Sequence, residues 1–223
     1  MDTDMNEGAN VNEDADMNMN ENKTADTNRR GLTGKKNTGG GREIAFCALF
    51  AALISVGSYI KIPLPGVPVT LQFLFTNLAG IMLGKKYGAV SVGAFVALGL
   101  IGLPVFSGGG GIGYVVMPSF GYILGYLAGA YLAGLITERF KSLSLKSILT
   151  ASFANLAVVY LFGVTYFYFI SEFYIGNAAD AKTLLVNCFL IFLPGDILKI
   201  LLSALILKKG GAFFKKNIRG KFF

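Results

Sequence analysis

Apolar positions run almost unbroken from Ile44 to Leu207, and the polar positions between them fall in short groups. The pattern predicts six membrane-length segments, at about 44–60, 69–84, 87–103, 119–137, 148–171 and 183–207. About 20 apolar residues cross the hydrocarbon as a helix, and shorter or tilted ones also occur. The second and third segments are short and close together, so a single re-entrant hairpin is the alternative there. The expected fold is an all-α, polytopic integral membrane protein with six transmembrane helices. Residues 1–42 have no hydrophobic periodicity and are rich in Asn, Asp, Glu, Met, Thr and Gly. Such a stretch buries too little apolar surface to offset its ordering entropy and reads as a disordered tail. It has no apolar core near its start, so it does not read as a secretory signal. The expected organisation is a tail at 1–42, a membrane domain at 43–208 and a basic tail at 209–223.

Composition agrees with this pattern. Hydrophobic residues make up 53% of the 223 positions, and mean hydropathy is +0.58, which excludes an ordinary soluble domain. His is absent, removing the commonest general base and metal ligand. Trp is absent too, so Tyr must supply the interfacial belt. Cys47 and Cys188 lie in apolar stretches and read as small buried residues rather than a disulfide or a metal pair.

The net charge of +7 is unevenly spread. Residues 1–42 hold six basic and eight acidic residues, a net of −2. The remaining fourteen basic and five acidic residues give +9. This surplus does not point to nucleic acid. The basic residues of the whole chain cluster before the first segment (Arg29, Arg30, Lys35, Lys36, Arg42), in alternate connections (Lys85, Lys86; Arg139, Lys141, Lys146) and in the C-terminal tail. The opposite connections hold only Lys61 and Lys182, beside Glu172 and Asp180. The Lys/Arg bias sets orientation, so both termini are expected in the cytoplasm.

The outer connections are unusual. The first, Ile62 to Val67 and Pro68, has three prolines in six positions, which enforces an extended, non-helical path. The second runs from Leu103-Pro104 through Gly108, Gly109, Gly110 and Gly111 to Met117-Pro118. Consecutive glycines allow positive φ and close approach to a ligand, and their amides can bind an anion. A flexible linker is the other reading. Within the last segment, Leu193-Pro194-Gly195-Asp196 is followed by Lys199. A charge at bilayer depth costs about 2.5–3.5 kcal/mol on insertion scales. Residues three apart on a helix share a face and can neutralise each other. The pair is either a packing device or an acceptor–donor site for a ligand. In the first segment, Ala48 and Ala52 make a small-residue stripe, suited to close helix approach within the chain or by a partner. A nucleophile–base pair, a metal cluster and a Walker motif are lacking, so no enzyme and no cofactor is expected. The pattern points to solute capture.

Four stretches together resemble BioY, the biotin-binding membrane subunit of energy-coupling-factor (ECF) vitamin transporters. They are Pro65-Gly66-Val67-Pro68-Val69-Thr70-Leu71-Gln72, Tyr87 to Gly93, Gly102-Leu103-Pro104-Val105-Phe106-Ser107 with its glycines, and Leu193 to Lys199. The resemblance covers about residues 43–208. It implies the six-helix fold of ECF S-components, a multi-pass protein of the cell membrane, and biotin as substrate. It also implies a transmembrane T-component and two cytoplasmic ATPases as partners. An S-component for another vitamin, such as thiamine or riboflavin, is the alternative. The implied substrate-binding set is Asp196, Lys199, Gly108, Gly109, Gly110, Gly111, Tyr122 and Gln72, with Ala48 and Ala52 docking on the T-component. Asp196 suits the two ureido N–H donors of biotin, and Lys199 its ureido carbonyl. Some relatives have Asn where this chain has Gly110, and Arg where it has Ile123. Candidates for the biotin carboxylate are the amides of Gly108–Gly111, the Tyr122 hydroxyl and Lys61.

Overall fold

The computed structural model describes residues 38–63, 67–140, 143–173 and 186–210. The acidic stretch before Thr38, Lys141, residues 174–185 (Asp180 and Lys182 included), the side chain of Cys188 and the basic tail beyond Gly210 lie outside them. The chain falls into two units, Met1–Gly41 and Arg42–Phe223; apart from Thr38–Gly41 at the start of the first helix, all that follows concerns the second.

Helix α1 is Thr38–Tyr59. Its buried face is Cys47, Phe50, Ala51, Ile54 and Ser58, at the three- and four-residue steps of a helix. Ala48, Leu49, Ala52 and Val56 point away from the fold. Two short strands follow, β1 (Lys61–Ile62) and β2 (Val69–Thr70), paired antiparallel with Lys61 opposite Thr70. The proline-rich connection therefore begins and ends in extended backbone, as expected of it; 64–66 lie outside the described residues.

Helix α2, Gln72–Leu100, takes in both the second and third expected segments. Gly84, with φ 78° and ψ 178°, breaks it. A Cβ on Gly88 would lie 2.7 Å from Gly80 Cα. Eight residues of straight helix would separate these positions by about 12 Å, so the two halves fold back on each other at Gly84. Gly134 of the next helix abuts the Gly84–Lys85 backbone. Glu138 caps the turn, accepting from Lys85 N at 3.0 Å and pairing with Lys85 Nζ at 3.0 Å.

A single-turn 3-10 helix (Ile112–Val116) leads to α3 (Phe120–Phe140), and α4 is Leu145–Phe173. Gly121, Gly125 and Gly129 recur every fourth residue on α3 and meet Tyr166, Val159 and Asn155 of α4. A Cβ at Gly125 would sit 2.8 Å from Val159 Cα. This is the close backbone approach by which membrane helices associate. At the centre, buried Asn155 donates to Asn77 Oδ1 of α2 at 3.0 Å, and Asn77 donates to Ser152 Oγ at 2.8 Å. A π-helical turn, Val186–Leu190, precedes α5 (Leu193–Lys209), with Pro194 in the first turn, where its missing N–H costs nothing.

Among the described residues, four stretches are long and apolar enough to cross a membrane: Gly41–Tyr59, Gln72–Leu100, Phe120–Phe140 and Leu145–Phe173. Large apolar side chains such as Leu161, Phe162, Leu198, Leu201 and Leu205 are exposed along them and along α5. A surface of this kind suits lipid as its solvent.

Candidate functional site

A narrow cavity of about 30 Å³ opens between β2, the start of α2, the second outer connection, α3, α4 and α5. Its polar base is Asp196 and Lys199, 6% and 7% exposed. They lie one helical turn apart because α5 starts at Leu193 and carries both on its inner face. Lys199 Nζ donates to Asp196 Oδ1 at 2.7 Å. The Tyr160 hydroxyl, from α4, donates to Asp196 Oδ2 at 2.6 Å. Both carboxylate oxygens are thus engaged. With about four lone-pair sites in all, the carboxylate can still accept two further bonds. The buried pair is mutually neutral, and its attraction offsets part of the penalty of desolvating two charges.

Above this base the walls are aromatic and hydroxylic. Tyr122 and Tyr126 of α3, Val159 of α4 and Phe192 line one side, with the Tyr122 and Phe192 rings stacked at 6.1 Å. Thr70, Gln72 and Phe73 line the other. Thr70 Oγ1 donates to Gln72 Oε1 at 3.0 Å, and this leaves the buried Gln72 Nε2 without a partner. A buried donor in that state costs about 1–3 kcal/mol and is ready for a ligand acceptor.

The second outer connection closes the top. Phe106 is fully buried, edge-on to Phe95 at 5.3 Å, and its ring fills the space beside Gly99. Phe106 and Gly109 exchange both backbone hydrogen bonds, at 2.9 and 3.1 Å. Gly102, Gly109 and Gly111 hold φ values of 108°, 120° and 103°, which only glycine adopts without strain. Gly110 lies against the Leu103 carbonyl, too near for any side chain. The connection is a folded turn. The Gly109 amide is committed to Phe106 O, and the Gly111 amide donates to Gly99 O at 2.7 Å. Three donors from α1 and β1 clasp it: Tyr59 to Pro104 O, Ser58 to Val105 O and Lys61 to Ser107 O.

Asp196, Lys199, Tyr122 and Gln72 thus converge on one cavity. Gly108 lines a second, more open space of about 270 Å³, with Lys61, Pro63 and Met117. Gly109, Gly110 and Gly111 shape the turn and line neither space. Ala48 and Ala52 stand apart on the outward face of α1. Sequence reasoning missed Tyr160, Tyr126, Ser107, Tyr114 and Ser119. The Tyr122/Tyr126 spacing of four was legible as a shared face; nothing local marks Tyr160 as the partner of a residue 36 positions away.

The sequence model of the BioY family matches residues 25–216. The chain belongs to the BioY family. It is 38% identical over 166 residues to the biotin transporter BioY of Thermotoga maritima, covering 74% of this chain and 93% of that one. To the probable biotin transporter BioY of Lysinibacillus sphaericus it is 36% identical over 166 residues, covering 74% and 85%. Among solved structures it is similar to the S-component for biotin from an ECF-type ABC transporter. That match has a TM-score of 0.61 and 34% identity, over 79% of this chain and 94% of that chain. The all-α membrane fold and the BioY resemblance expected from sequence are therefore correct, and the family is one of transporters, not enzymes.

Proposed function

We propose that this chain is the biotin-capturing membrane subunit of an ECF-type uptake system. The observation that carries the reading is the buried Asp196 carboxylate, held by Lys199 and Tyr160 at the base of a largely enclosed cavity. Biotin's ureido ring brings two N–H donors and one carbonyl. Asp196 accepts from the N–H groups, and Lys199 or the free Gln72 Nε2 donates to the carbonyl. Tyr122, Tyr126 and Phe192 pack against the apolar bicycle. Gly108, Gly109, Gly110 and Gly111 shape the turn above it.

The apolar segments support six spans, and the Lys/Arg pattern supports both termini in the cytoplasm of a cell-membrane protein. Residues 1–42 are then a solvated cytoplasmic tail, 43–208 the membrane domain and 209–223 a basic cytoplasmic tail. Ala48 and Ala52 dock on a T-component, which couples the subunit to two ATPases. The test is isothermal titration of the detergent-purified chain with biotin, thiamine and riboflavin. Binding of biotin alone, at nanomolar Kd (about −12 kcal/mol), is expected. Absence of heat and of thermal shift at micromolar biotin overturns the assignment.

A further inference from the structure

Among the described residues, the cavity and the open space beside it contain three charged side chains: Asp196, Lys199 and Lys61. The first two neutralise each other. Lys61 meets no carboxylate among the described residues, so the site as a whole carries one uncompensated positive charge. The two spaces adjoin, with Pro68, Ser107, Tyr114 and Ser119 lining both. Lys61 lines the more open of the two, held there by the β1–β2 register opposite Thr70, a residue of the inner cavity. One of its three N–H donors goes to the Ser107 carbonyl, and two remain. Between the spaces, the hydroxyls of Ser107 and Ser119 lie 3.2 and 3.3 Å from that of Tyr114.

A site neutral at its base and cationic at its mouth selects a ligand with an uncharged polar head and an anionic far end. We propose that Lys61 and the vestibule around it form a carboxylate subsite, which fixes the acidic end of the ligand while Asp196 and Lys199 hold its head. The inference rests on the biotin reading and names the group that confers selectivity for the free acid. The other amides near the mouth are less suited, since those of Gly109 and Gly111 already have carbonyl partners.

The experiment compares biotin with biotinamide, its neutral isostere, on the parental chain and on Lys61→Met and Lys61→Arg. The parental chain should prefer the acid by roughly tenfold, between an exposed ion pair and a desolvated charge-assisted bond. Lys61→Met should weaken biotin roughly tenfold more than it weakens biotinamide, so that the preference is lost, and Lys61→Arg should keep it. Equal weakening of both ligands in Lys61→Met would mean that Lys61 only steadies Ser107, and would overturn the subsite. So would a parental chain that binds acid and amide alike. A parental chain that binds neither compound overturns the biotin reading itself, and the subsite's ligand with it.

Discussion

The Asp196–Lys199 pair can be separated into its structural and ligand-binding parts by making Asp196→Asn and Lys199→Met singly and together. Each single change leaves the other partner buried and uncompensated, at 6% or 7% exposure. Breaking a buried pair from one side costs about 3–5 kcal/mol. For a chain of this size, about 2–4 °C of melting temperature accompanies each kcal/mol, so each single variant should melt roughly 6–20 °C lower. Asp196→Asn also turns the 2.6 Å bond from Tyr160 into a neutral one, a further loss of about 1 kcal/mol. The double variant carries no buried charge. Replacing both ions by neutral groups of similar volume is often harmless or stabilising, so its melting temperature should return to within about 5 °C of the parent. Biotin affinity should not return with it. Two charge-assisted bonds of about 1.5–3 kcal/mol each are gone, a loss of at least about a hundredfold. Thermal melts without ligand and calorimetric titration on the same preparations measure both quantities. A double variant that melts like the singles, or one that binds biotin like the parent, would refute the reasoning.

Two further outcomes are expected. Ala48→Trp or Ala52→Trp should abolish co-purification with a T-component and ATPase module while leaving biotin titration unchanged, because both residues are exposed on α1 and neither lines the cavity. Gly129→Ala should destabilise the fold by about 1–3 kcal/mol, read as a lower melting temperature, because its methyl would collide with Asn155 Oδ1 and disturb the Asn155–Asn77 bond.

What could be read from the chain, and what could not, divides by distance along it. The Pro194-Gly195-Asp196 element and Lys199 are adjacent in sequence, and helical geometry alone puts them on one face, where the 2.7 Å bond joins them. The apolar segments were equally plain, since lipid demands length and little else. The reversal at Gly84 was half visible: Lys85 and Lys86 marked a connection there, but Gly80 facing Gly88 is a contact between backbones and leaves no hydrophobic signal. The four-residue glycine spacing on α3 was present in the sequence yet ambiguous, because its partner surface belongs to α4. The glycine run invited expectation of free amides for a ligand. Only the fold tells that Phe106 and Gly99 accept from two of them.

The clasp at the top of α1 has a mechanical consequence. Ser58, Tyr59 and Lys61 grip three carbonyls of the lid within four residues of one another, Pro104, Val105 and Ser107. All three grips sit at or just beyond the end of the helix whose opposite side is bare to the bilayer. Together these three latches tie the lid to α1 with about 2–4 kcal/mol. Tilting α1 strains every latch at once. Whatever leans on that bare side is leaning on the lever that works the door.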